Sequence, residues 1–64
     1  MTPQLARIMR IAQIESERDQ AAAVGVEHVM TAMAQEGANP GAAMFQKFGV
    51  TVEDVRALNF EPKA

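Results

Sequence analysis

Glu27 and His28 are the adjacent pair in this sequence whose side chains could do chemistry, a carboxylate beside the chain's one imidazole. A histidine can exchange protons near neutral pH, and a neighbouring carboxylate can orient it or accept a cation. Catalysis would also need a nucleophile or a paired carboxylate at matching spacing, and no Ser, Cys or second carboxylate stands beside His28 in such a pattern. No enzyme activity is expected. The expected role of His28 is structural, at the start of a helix, donating a hydrogen bond to a neighbouring loop. One histidine, no cysteine and scattered carboxylates also make a poor metal set, so neither a metal nor a cofactor is expected.

Sixty-four residues must hold this pair in place, which limits the chain to one domain. A chain near this size buries only about 60% of the surface its unfolded form exposes. Without cysteine no disulfide can supplement that core, which leaves self-association as the common remedy. Apolar residues make up 48% of the chain and are mostly Ala, Val and Met, a composition that favours helices. A net charge of −2, with six basic residues spread along the chain, opposes a nucleic-acid footprint. No apolar run reaches membrane-spanning length and no signal-peptide pattern opens the chain, so a cytoplasmic protein is expected.

Thr2-Pro3 is a helix start, a hydroxyl N-cap followed by proline at the first helical position. Leu5, Ile8, Met9 and Ala12 then recur at helical spacing as a core-facing stripe, with Ile11 and Ile14 beside it. Glu15, Glu17, Arg18 and Asp19 read as a charged, solvated end, placing helix one from Pro3 to about Arg18. Gln20-Ala21-Ala22-Ala23 is ambiguous, and the break falls between about Gln20 and Val26, where Gly25 permits unusual backbone angles. Helix two carries Val29, Met30, Met33 and Ala34 and ends at Glu36-Gly37. Asn39-Pro40 repeats the start signal for a third helix through Phe45 to Phe48, with Gly49 as its stop. Thr51 caps a fourth, with Glu53 and Asp54 at the positive end of its dipole and Val52, Val55 and Leu58 on its apolar face. No stretch alternates with period two. The fold class is all-α, four short helices over residues 2–58, followed by a tail at 59–64 in which Phe60 could dock.

The order and spacing of several short motifs resemble one repeat of the Clp N-terminal domain, the substrate- and adaptor-binding module of Clp ATPases. They are Ala12-Gln13, then Gly25-Val26-Glu27-His28-Val29-Met30, then Glu36-Gly37, Gly41-Ala42-Ala43 and Phe48-Gly49-Val50. Val26 stands where relatives usually carry Thr, which predicts that helix two lacks its side-chain N-cap. Arg18-Asp19-Gln20 replaces a Leu-Gly-His turn, and Ile14 replaces an acid. The family domain is two tandem repeats about a pseudo-twofold axis, whereas this chain has room for one, and it has no Walker-type phosphate loop.

The resemblance implies non-catalytic recognition of a protein: a substrate, an adaptor or a Clp ATPase itself. It also implies a ligand. In ClpC-type members the glutamate matching Glu27 receives the guanidinium of phosphoarginine, and Thr2 matches the residue at the first helix start. A carboxylate suits a planar guanidinium, and a helix start can hold a phosphate. Pro3 has no amide, leaving Gln4 and Leu5 as donors beside the Thr2 hydroxyl. The methionines Met9, Met30, Met33 and Met44 are expected as core fillers. An apolar stripe widened by Ile11 and Ile14 points to a second partner, with a homodimer mimicking the two-repeat domain. The alternatives are a small helical DNA-binding regulator, which the charge opposes, and a structural or assembly protein without ligand, in which Glu27 is only a helix-end charge.

Overall fold

A computed structural model describes residues 2–58 and arranges them as α1 (Pro3–Arg18), α2 (Val26–Glu36), α3 (Pro40–Lys47) and α4 (Val52–Arg56). All regular structure among the described residues is helical. The expected tail at 59–64, with Phe60, lies outside the described residues.

Local chemistry sets most of the boundaries. Thr2, Asn39 and Thr51 each sit in extended conformation and accept a first-turn amide on their side-chain oxygen, from Leu5, Ala42 and Asp54 respectively. At Thr51 the cap is reciprocal, because Asp54 Oδ2 accepts the Thr51 N–H at 2.9 Å. Gly37 ends α2 in the left-handed conformation at φ 82°. The end of α1 is managed differently. Gln20, not a glycine, takes the left-handed turn at φ 57°, and the Ala21 N–H closes back on Ser16 O at 2.9 Å. That turn stops the helix before the alanine run can extend it.

α2 is the element on which the others rest. It packs against α1, α3 and α4, and none of those three packs on another. Where α1 and α2 meet, Ala12 and Ala32 are both 0% exposed, and two methyl side chains let the backbones approach closely. Ile8 completes this core, with Ile11, Val29 and Met33 packed around it. α3 contributes Ala42 and α4 contributes Val55, the one large side chain among the described residues that is fully buried.

Several expectations are corrected by this arrangement. The buried face of α2 is His28, Thr31 and Ala32, while Val29, Met30, Met33 and Ala34 are half-buried. α2 meets neighbours on more than one side, so a single stripe does not describe it. Leu5, Met9, Met44 and Leu58 remain exposed, so Met9 and Met44 are not core fillers. Glu15 is buried instead of solvated, because α4, packed on α2, brings the Arg56 side chain to it. The start of α2 is shifted by one residue from the expectation: Gly25 is its N-cap and Val26 its first helical residue.

Candidate functional site

The junction of α1 and α2 is organised by His28, a residue only 5% exposed whose ring is bonded at both nitrogens. The Gly25 N–H donates to Nδ1 at 2.8 Å, and Nε2 lies 2.9 Å from Asp19 Oδ2. A carboxylate only accepts, so these partners place the proton of the neutral ring on Nε2. Gly25 has no side chain to cap α2, and His28 supplies the other half of the device by reaching back from the third helical position to the N-cap amide. The imidazole thereby ties Asp19, the first residue after α1, to Gly25, the last before α2. This is the loop-directed hydrogen bond expected of it, made to Asp19.

Glu27 stands next to this ring with its side chain 26% exposed, and Oε1 is 3.5 Å from His28 Nδ1. Its carboxylate folds back over Gly25, in the space that a side chain at that position would fill. A carboxylate so placed is open to solvent on one side and backed by the helix start on the other.

Thr2 and Gln4 lie elsewhere. They line an open groove of about 250 Å³ together with Leu5, Met9, Val29 and Met33, and Glu27 is not among its lining residues. The Thr2 hydroxyl accepts from the Leu5 N–H at 3.1 Å, so that amide is already taken. The Gln4 side chain donates to Ala38 O, pinning the start of α1 to the loop before α3. Sixteen helical residues at 1.5 Å each put Thr2 about 25 Å from Asp19. Glu27 is held near Asp19 through His28, so its carboxylate is on the order of 10 Å or more from the Thr2 hydroxyl. One copy of the chain therefore brings Thr2 and Gln4 together and leaves Glu27 apart.

Of the two isoleucines expected at an interface, Ile14 is 50% exposed, while Ile11 is half-buried against the core. Met44, expected as a core filler, and Phe48, 71% exposed, add apolar surface outside the core.

Sequence reasoning missed the buried cluster at Glu15. Its carboxylate accepts from Gln35 Nε2 at 3.0 Å on Oε2 and from Arg56 Nε at 3.2 Å on Oε1. Burial pushes the Glu15 carboxyl up, but these hydrogen bonds and the charges of Arg56 and Arg18 outweigh it and hold it below its ordinary value. No local signal marks such a site, because the partners come from three helices. Glu36 is a second engaged carboxylate, accepting from Asn39 Nδ2 and the Ala38 N–H, each at 2.9 Å, with Arg7 3.6 Å away.

Among the described residues no three His, Cys, Asp or Glu side chains gather to hold a metal ion, and no helix is long and apolar enough to cross a membrane. A family model described as the Clp repeat (R) N-terminal domain matches residues 1–59 of the chain. No curated protein and no solved structure matches it.

Proposed function

The chain belongs to the Clp repeat N-terminal domain family, and on that footing we propose that it recognises protein without catalysing a reaction. The partner is a substrate, an adaptor or a Clp ATPase, met in the cytoplasm, and the repeat that meets it occupies residues 2–58 with 59–64 as a tail. The observation that carries this reading is the apolar surface left uncovered by so small a core. Leu5 and Met9 border the groove while Ile14, Met44 and Phe48 stand out elsewhere. Leu5 and Met9 lie side by side along that groove, and exposed apolar surface of this kind supports a reading in which another chain covers it.

A second copy of the chain is the first such partner. The family domain has two repeats and this chain supplies one, so a twofold homodimer restores the pair, with Ile11 and Ile14 on the widened face of α1 at or near the contact. The same dimer supports the phosphoarginine reading. Glu27 is apart from Thr2 and Gln4 within one copy, so a site that uses the carboxylate for the guanidinium and the Thr2 hydroxyl with Gln4 for the phosphate draws its two ends from different copies. Neither the DNA-binding reading nor the purely structural one is favoured by a specific contact.

Light scattering on the purified chain at micromolar concentration tests the dimer, and a stable monomer sinks it. Titration with free phosphoarginine, followed by amide shifts, should perturb signals near both Thr2 and Glu27. If neither moves, the ligand reading fails and general protein binding stands.

A further inference from the structure

Nδ1 of His28 faces two groups that it cannot satisfy at once. The Gly25 N–H donates to it at 2.8 Å, while Glu27 Oε1 stands 3.5 Å away. In the neutral ring, with its proton on Nε2 toward Asp19, Nδ1 offers a lone pair. It then holds Gly25 and has no hydrogen for Glu27, whose carboxylate remains available from the solvent side.

A proton arriving at Nδ1 inverts both relationships. The Gly25 N–H now meets another N–H and loses its acceptor, and the Glu27 carboxylate, closing from 3.5 Å, accepts the new Nδ1–H as a charge-assisted bond. The Nε2–H to Asp19 bond persists in both forms, so the ring need not leave its pocket. One proton enters from solvent and no other covalent bond changes.

The groups facing the ring are accounted for from each element. The segment after α1 contributes Asp19, and α2 contributes Glu27. The other charges are Arg7, Arg10, Glu15, Glu17 and Arg18 on α1, Glu36 on α2, and Lys47, Glu53, Asp54 and Arg56 on α3 and α4, and among the described residues none of them pairs with His28. Among the described residues nothing else competes for the added hydrogen.

We infer that His28 is a proton gate on Glu27: the neutral imidazole leaves the carboxylate open to an external cation, and the imidazolium takes the carboxylate for itself while releasing the Gly25 amide. The switch itself stands on the distances above. Its consequence for a guanidinium ligand rests on the reading of Glu27 in the preceding subsection.

The test uses the full 64-residue chain and nuclear magnetic resonance between pH 5 and 8, the range in which histidine changes charge. The His28 ring nitrogens, the Gly25 amide and the Glu27 carboxyl carbon are followed together, and all three are expected to move with one midpoint. Methylguanidinium, which carries no group titrating in this range, is the ligand probe. One pH unit below that midpoint only about a tenth of the protein keeps the open carboxylate, so its binding at Glu27 should weaken about tenfold. Glu27→Gln should abolish the methylguanidinium response and leave the Gly25 titration in place.

Gly25 and Glu27 signals that stay flat while the ring titrates would overturn the gate, as would ring shifts showing the neutral proton on Nδ1. If the three signals move together but methylguanidinium perturbs Glu27 at neither pH, the gate stands and the guanidinium reading alone falls.

Discussion

Arg56 Nε on α4 lies 3.2 Å from Glu15 Oε1 on α1, although α1 and α4 do not pack on each other. The pair reaches across α2, whose Gln35 donates to the other oxygen of the same carboxylate. Glu15 is 3% exposed, so its charge is tolerable only because these donors satisfy it. Glu15→Ala should cost about 2 kcal/mol in urea denaturation, the amount expected when charged hydrogen bonds are removed and a partner is left behind. A change within the scatter of surface substitutions would return Glu15 to the solvated end that its neighbours in sequence suggest.

Acid should unfold the protein through the same carboxyl. The ordinary value of a glutamate such as Glu15 is 4.5, and in the folded chain it is lowered. Glu36 is lowered as well, first through its hydrogen bond from the Asn39 side chain. A carboxyl whose folded pKa is depressed adds stability that is fully present above its unfolded value and is lost as pH falls through the folded one. Melting temperature measured against pH should therefore hold level with respect to these groups above pH 4.5 and decline below it. Glu15→Gln should flatten that acid limb.

Asn39 does three things at once. Its Oδ1 accepts the Ala42 N–H at 2.7 Å, and its Nδ2 donates to Met33 O and to Glu36 Oε1, each at 2.9 Å. Asn39→Ala removes the cap of α3 and unties it from α2, so a loss of about 1–2 kcal/mol is expected in thermal or urea unfolding. Asn39→Asp should retain the cap but set a carboxylate oxygen against Glu36 Oε1 and Met33 O, so at neutral pH it should cost at least as much as Asn39→Ala.

Ala12 and Ala32 should resist enlargement. Both are wholly buried where α1 and α2 meet, and the extra atoms of Ala12→Leu have no space without pushing the helices apart. Overpacking of this kind costs about 1–3 kcal/mol. A Leu at position 12 that leaves the melting temperature unchanged would show that the two helices are held apart by other contacts.

The helix starts were legible in the sequence because each is a contact among residues three apart: Thr2 with Leu5, Asn39 with Ala42, Thr51 with Asp54. The end of α1 was less so. Gln20 adopts a left-handed turn that its residue type does not advertise, and the following alanines carry no stop. What lay beyond reach was any property made by distant partners. Glu15 is buried by Arg56, 41 residues away, and the Asp19 that holds His28 comes nine residues before it. The prominence of Glu27 was readable from its place in a motif. Its separation from Thr2 follows only from the path of α1.

Because α1, α3 and α4 each lean on α2 and not on one another, the molecule comes apart by detachment. α4, five residues long, is held by Val55 on α2 and by the single reach of Arg56 to Glu15. It can open and reclose while α1 and α2 stay paired, which makes its amides the first to trade hydrogen with water. Assembly runs the other way. The short span from Asp19 to Gly25 closes α1 onto α2 at small entropic cost, and the two later helices dock on that hairpin independently.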